Sequence, residues 1–275
     1  MVAKKPNSKR NLDMAIRRMG EGDLEFARRR AAIANAIVAS MMPEGAVKGG
    51  SALKIRFGDC ATRATTDLDA AREHDLDGFV EALSERLTAG WEGFTGRIVV
   101  ETPAHPKGVP TPYVMRPFSL KLSYNGTPWY TVQFELGHNE IGDAEDPDMV
   151  VPAFANDMLE AMGFSTLPPV PLMGLHHQIA QKLHGATEPN SKRAHDLIDL
   201  QVIMARGDVD LAKTRAACER LFAYRQMQAW PAKVNKGENW AEAYAQQLLG
   251  QPVLQDVDDA IEWANNLITK IAESE

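Results

Sequence analysis

Asp67 and Asp69, in the segment "TTDLDA", follow the glycine-rich corner Gly49-Gly50-Ser51 by sixteen residues. Together these groups suit chemistry on a metal-bound triphosphate. On a strand, residues two apart point to one face, so the two carboxylates would project together. Side by side they repel unless a cation lies between them. A hard divalent ion such as Mg²⁺ prefers oxygen ligands and commonly bridges to substrate phosphates. Ahead of the pair, glycines let phosphate oxygens approach the main chain, and the helix that follows offers N–H donors and a favourable dipole. The bland alternative is a turn followed by a solvated acidic loop. Spacing alone decides nothing, because the chain holds five Asp-x-Asp pairs: 67/69, 75/77, 146/148, 208/210 and 256/258. Context sets the first apart.

A third acid would complete a two-metal site. Glu135 in "YTVQFELG" lies on an expected strand, with Phe134 and Leu136 facing the other side. Two ions about 4 Å apart would activate an attacking hydroxyl and stabilise a leaving pyrophosphate. The competing reading makes Glu135 the exposed alternate residue of a half-buried strand.

A second cluster lies in "IAQKLHGATEPNSKRAHDLIDL". Asp196 and Asp199 are three apart and share a helix face, with Lys192 four residues before Asp196. Lys182 sits among apolar residues, where it would bury its stem and deliver its ammonium to one point. If these helices close over the first cluster, Lys182 would meet the triphosphate; otherwise this is a salt-bridged helix face. His177 and His184 are seven apart without a convincing third metal ligand, and read as packed or exposed imidazoles. Trp91, Trp129 and Trp230 are expected to pack rather than stack on bases.

These groups need elements to hold them. Gly22 to Met42 reads as a helix, "AVKGG" as a short strand entering a turn, and "SALKIRFG" as the next helix. "TTDLDA" is short and β-compatible, "LDGFVEALSERLTAG" an amphipathic helix, and "GRIVVET", "RPFSLKLSYNG" and "TPWYTVQFELG" strands. The last two meet at the hairpin dipeptide Asn125-Gly126. "GDAEDPDMVVP" reads as an exit loop, "STLPPVP" as a stiff linker, and the remainder as five helices. The expected architecture is α+β: an N-terminal α+β domain over 1–165 with a basic arm, then a helical C-terminal domain over 166–275.

The 275 residues are 44% apolar, enough for one large domain or two modest ones. No apolar run approaches eighteen residues, and "MVAKKPNSKR" lacks the apolar core of a signal peptide, so no membrane partner is expected. Two cysteines give neither a disulfide framework nor a metal quartet, which points to a reduced, cytoplasmic setting. The net charge of -7 conceals nine Lys/Arg against four Asp/Glu in residues 1–30. That arm is either a nucleic-acid contact or a solvated terminus.

"VKGGSALKIRFGDCATRATTDLDA" resembles the first motif of the AbiEii-type nucleotidyltransferase toxins of bacterial abortive-infection and toxin–antitoxin systems. That motif, an apolar residue, Lys, Gly-Gly-Ser/Thr-Ala-Leu and then Arg-x-Ser/Thr-x-Asp-Leu-Asp, falls on Lys48 to Leu53, Arg63, Thr65, Asp67, Leu68 and Asp69. The second segment is similar to the family's Ala-x-Lys-Leu-x-Ala and Arg-x-x-Asp-x-x-Asp, on Lys182, Arg193, Asp196 and Asp199, with His195 just before the first Asp. The resemblance implies a DNA-polymerase-β-like nucleotidyltransferase core, a mixed sheet with flanking helices, followed by a helical domain. It implies a nucleoside triphosphate with Mg²⁺ or Mn²⁺, an RNA acceptor such as the tRNA 3′ end, and a cognate antitoxin. On that footing Asp67, Asp69 and Glu135 hold metal, and Gly49, Gly50, Ser51, Arg63 and Arg193 contact the nucleotide. Lys182 neutralises phosphate charge, Asp196 positions either Lys182 or the nucleotide, and Asp199, with Arg193 as the alternative to its nucleotide contact, braces the helices. Two rivals stay open: transfer to a protein target, and a degenerate core that only binds nucleotide or a partner.

Overall fold

The computed structural model describes residues 4–63, 65–103, 114–248 and 250–275. The chain divides into two compact units. The first comprises residues 1–59, 65–139 and 144–172; the second comprises 60–64, 140–143 and 173–275.

The first unit is a seven-stranded mixed sheet with helices. Its helices are α1 (Lys9–Arg17), α2 (Gly22–Ser40), α3 (Gly49–Phe57), α4 (Leu76–Ala89) and α5 (Ala153–Ala161). Its strands are β1 (Ala46–Lys48), β2 (Leu68–Ala71), β3 (Phe94–Val100), β4 (Arg116–Tyr124), β5 (Thr127–Gly137), β6 (Asp148–Val150) and β7 (Val170–Leu172), in the order β3-β4-β5-β2-β1-β7-β6. The α+β expectation holds. β5 shows why: Val132, Phe134 and Leu136 are buried, while Thr131, Gln133 and Glu135 between them are exposed, the period-two pattern of a strand with one covered face. Asn125 and Gly126 both have positive φ, 47° and 76°, as a two-residue hairpin turn requires. α2 carries nine consecutive buried residues, Ala31 to Ala39, so it is sunk into the core rather than laid on it.

Three features depart from the sequence reading. The basic arm forms α1 and is anchored: the Tyr124 hydroxyl donates to the carbonyl of Pro6, and Lys5 pairs with Glu92. Arg17, Arg28, Arg29 and Arg30 also pair, with Asp23, Asp59, Glu25 and Asp13. Three of these pairs use the arm's own acids, while Lys5 and Arg28 meet Glu92 and Asp59 beyond it. "STLPPVP" is no free linker: Leu167 is buried and exchanges two hydrogen bonds with Asn156, at 2.8 and 3.2 Å, and the segment runs into β7 beside β1. The acidic stretch after β5 contains β6, antiparallel to β7. Strands of three residues take their identity from partners distant in sequence, which local pattern does not show.

The second unit holds α6 (Leu175–Thr187), α7 (His195–Arg206), α8 (Leu211–Arg225), α9 (Trp240–Gln247) and α10 (Val257–Ala272), as expected. Asp210 and Asp256 cap α8 and α10 by accepting from first-turn amides. The two inserted segments are stapled to these helices. Arg225 donates to both oxygens of Glu140 at 2.8 and 3.0 Å. Gln181 donates to Asp143 at 2.6 Å, and Gln251 to the carbonyl of Thr62 at 3.0 Å. Among the described residues no helix is long and apolar enough to cross a membrane.

Candidate active site

The corner between β1 and α3 is set by Gly49. Its φ is +67°, a region that residues with a Cβ avoid, and a side chain there would meet Asp69 Oδ2 at 2.6 Å. Glycine thus serves two ends, the turn and the close approach of a carboxylate. The residue before α3 is Lys48, in extended backbone and offering no side-chain cap. The helix therefore presents its first amides without a side-chain acceptor from its cap position.

The acidic segment hangs from buried polar side chains. Ser51 is 2% exposed, and its hydroxyl donates to the carbonyl of Asp67. Asn35 donates to the carbonyl of Thr66 at 3.2 Å, and Lys54 to that of Thr65 at 3.3 Å. Lys54 also pairs with Asp59 at 2.9 Å. Ser51, expected to cradle a triphosphate, instead spends its hydroxyl holding the acidic segment. Gly50 is buried beside it.

Asp67 lies one residue before β2, exposed, and accepts from Thr66 Oγ1 at 3.1 Å. Asp69 is within β2. In sheet register it stands opposite Lys48 on β1 and beside Glu135 on β5. Cross-strand partners share a face, so three charged side chains form one row. The electrostatics agree: burial, then Asp69, then Asp67 push the Glu135 carboxyl above its ordinary value, while Lys48 pulls it back. Lys48 Nζ lies over the end of β5, where a side chain at Gly137 would meet it at 3.0 Å. Sequence reading placed Lys48 in the motif without a role, since its register opposite Asp69 depends on strand pairing. An all-oxygen set of mutually repelling carboxylates fits a hard divalent cation.

The second unit holds a separate charge network. Lys182 Nζ lies 2.6 Å from Asp199 and 3.2 Å from Asp196. The lysine is 4% exposed, and the acids 0% and 1%. Arg63 Nε lies 3.1 Å from both Asp199 oxygens. Arg193 donates to both oxygens of Asp196 and crosses α6 at Gly185, where a side chain would meet its Nε at 2.5 Å. Burial alone would raise the Asp196 carboxyl, but Lys182 and Arg193 outweigh it and hold the group well below the ordinary carboxylate range. Burial lowers His195, whose Nε2 lies 3.7 Å from Asp196. Arg63 and Arg193, expected on the nucleotide, are thus engaged with Asp199 and Asp196. This is a buried network, not an exposed helix face.

The histidines of α6 are packed groups. Burial with Arg225 nearby lowers His184 to about 4, and its ring meets Phe222 edge-on at 4.9 Å. Burial likewise lowers His177 to about 4. A folded value below the ordinary 6.5 means the unfolded chain takes up the proton first. The stability is present above about pH 6.5 and is lost as pH falls toward 4, on the order of 3 kcal/mol for His184. In His184→Phe, the drop in urea midpoint between pH 7 and pH 4.5 should shrink; an unchanged drop refutes the assignment. Trp129 packs on Phe94 at 5.1 Å and Trp230 on Phe222 at 5.2 Å, as expected for core rings. Among the described residues, the group of three ligand atoms converging within 4.8 Å is Glu44, Glu73 and His74. It is largely exposed, and Glu44, ahead of β1, accepts from the main-chain N–H of His74, just after β2, at 2.9 Å.

No curated protein matches the chain. Among solved structures it is similar to MenT4, a nucleotidyltransferase toxin from Mycobacterium tuberculosis H37Rv. The TM-score is 0.62 at 16% identity, over 94% of this chain and 89% of that one, a likeness of fold. The family model described as nucleotidyl transferase AbiEii toxin, type IV toxin–antitoxin system, matches residues 34–266. That span takes in the glycine corner, the acidic row and the buried lysine network, and the chain belongs to the AbiEii family of nucleotidyltransferase toxins.

Proposed function

We propose that the protein transfers a nucleotide from a nucleoside triphosphate to the 3′ end of an RNA such as tRNA, with Mg²⁺ or Mn²⁺. The observation carrying this reading is the row Lys48–Asp69–Glu135 beside the Gly49 corner. An acceptor hydroxyl gives up its proton to solvent as its oxygen bonds to the α-phosphorus, the bond from the α-phosphorus to the bridging oxygen breaks, and pyrophosphate leaves. A divalent ion held by Asp67, Asp69 and Glu135 would lower the pKa of the hydroxyl and neutralise charge on the phosphates. The amides of Gly49 and Gly50 at the start of α3 receive phosphate oxygens. Ser51, Asn35 and Lys54 hold the acidic segment still, so its placement costs nothing at the moment of reaction. Lys48 favours the ionised form of Glu135, the form that binds metal. Lys182 is the cation assigned to the substrate phosphates, Asp196 holds it in place, and Arg63, Arg193 and Asp199 brace the pair. Membership in a type IV system supports a cognate antitoxin as partner and a cytoplasmic setting.

The test supplies purified chain, Mg²⁺, each α-labelled triphosphate in turn, and total tRNA or cell extract. RNase-sensitive, EDTA-sensitive label is the expected result. Label that survives RNase and yields to protease would replace RNA with a protein acceptor, and absence of label under every condition would leave only a binding protein.

A further inference from the structure

The exposed face of β3, β4 and β5 continues from the acidic row. Moving along β5 from Glu135, paired rows on this side of the sheet run Ser119–Gln133, where Ser119 is buried and donates to Glu101 at 2.7 Å, then the exposed Arg97–Lys121–Thr131, then Thr95–Ser123. The Arg97 row lies four residues from Glu135, about 13 Å at the strand rise. Arg97 and Lys121 stand directly opposite each other on antiparallel strands, and both are exposed. Like charges in that relation destabilise a sheet. Neither makes an ion pair among the described residues, so no protein carboxylate there offsets the repulsion. The two cations line a groove of about 490 Å³, with Thr95, Ser123 and Thr131 presenting hydroxyls beside them.

We propose that this face binds the acceptor strand: a single-stranded RNA segment whose phosphodiesters are neutralised by Arg97 and Lys121, its 3′ end directed to the acidic row. The inference rests on the nucleotidyl-transfer reading and adds the place where the acceptor lies. Charge complementarity selects the occupant. A molecule of net charge -7 places two adjacent cations, flanked by hydrogen-bonding hydroxyls, on the sheet face that carries Asp69 and Glu135. The separation of about 13 Å corresponds to about four stacked nucleotides at a rise of about 3.4 Å each. Cations at that distance hold the strand without competing for the reacting phosphate.

The experiment measures anisotropy of a fluorescein-labelled 12-nucleotide RNA, without triphosphate or metal, across a salt series. Arg97→Thr/Lys121→Thr keeps strand-compatible residues in the sheet. The double variant should bind about tenfold more weakly near 150 mM salt. Its slope of log affinity against log salt should be shallower by about 1.4, two phosphate contacts at about 0.7 each. Lys213→Ala/Lys270→Ala removes the same charge from the helical unit and should leave both values unchanged. In the transfer assay the sheet variant should raise KM for RNA. Unchanged affinity and slope overturn the proposal; so does a wild-type chain that binds no RNA, or that binds polyglutamate as tightly with the same loss in the variant. Because binding is read without turnover, failed transfer with intact RNA binding sinks the catalytic reading alone. Transfer with unaltered RNA KM in the sheet variant sinks the surface alone.

Discussion

Asp69→Asn is expected to remove nucleotide transfer, by at least about 100-fold, while the chain stays folded. Asp69 sits between Lys48 and Glu135 in register and against the Gly49 turn, so an isosteric amide fits the same space. What the amide cannot do is supply anionic charge to a divalent cation. The fold has little to lose, because Asp69 is one of the charges that raise the Glu135 carboxyl. The same charge yields a second readout that does not depend on turnover. In the metal-free protein, the raised folded value means the native state binds the Glu135 proton more readily than the unfolded state does. Stability therefore rises as pH falls through the window between the raised value and the ordinary one. Asp69→Asn should lower the Glu135 value, followed by carboxyl NMR, and reduce that gain. Full transfer in Asp69→Asn would remove the assignment of this row; an unmoved Glu135 would show that the two groups do not face each other. Asp67→Asn, at an exposed position outside the strand, is the companion variant, with the same expected loss of transfer and less risk to folding.

The acidic row was partly legible in sequence because its ingredients are local. A glycine corner ahead of a helix and two acids at strand spacing are visible in a window of about two dozen residues. Glu135 was legible through alternation in β5, although its alignment with Asp69 is a parallel pairing between segments 66 residues apart. Lys48 escaped for that reason: its relation to Asp69 exists only once β1 and β2 pair. The hydrogen bond of Ser51 to the main chain of Asp67 is not legible, since nothing in "GGSAL" says whether its hydroxyl faces a ligand or another segment. α5 and the short strands β6 and β7 went unread because they are short elements whose burial is fixed by tertiary partners. The opposition of Arg97 and Lys121 is equally invisible in sequence, because it follows from the antiparallel register of β3 and β4, which local pattern does not show.

The buried network of α6 and α7 should respond unequally to removal of its members, and the inequality separates bracing from a substrate role. Asp199 accepts from Arg63 and from Lys182, the latter at its shorter contact of 2.6 Å. Asp199→Ala takes the Asp199 carboxylate from Arg63 and removes the shorter of the two carboxylate contacts of a lysine 4% exposed, leaving Asp196 at 3.2 Å, and should destabilise the helical unit by about 3 kcal/mol. Lys182→Met costs less, under about 2 kcal/mol, because each carboxylate keeps an arginine: Arg193 on Asp196 and Arg63 on Asp199. Methionine also fills the lysine's unbranched volume. Hydrogen exchange across α6 and α7 measures both effects, and the double variant should fall short of the sum because the two residues touch. Lys182→Met is therefore the informative variant for function. If the ammonium meets the substrate phosphates, this variant stays folded, keeps its hydrogen-exchange protection and loses transfer. If Lys182 only joins the helices, transfer survives, and the phosphate-binding cation of this family member must be sought among other residues.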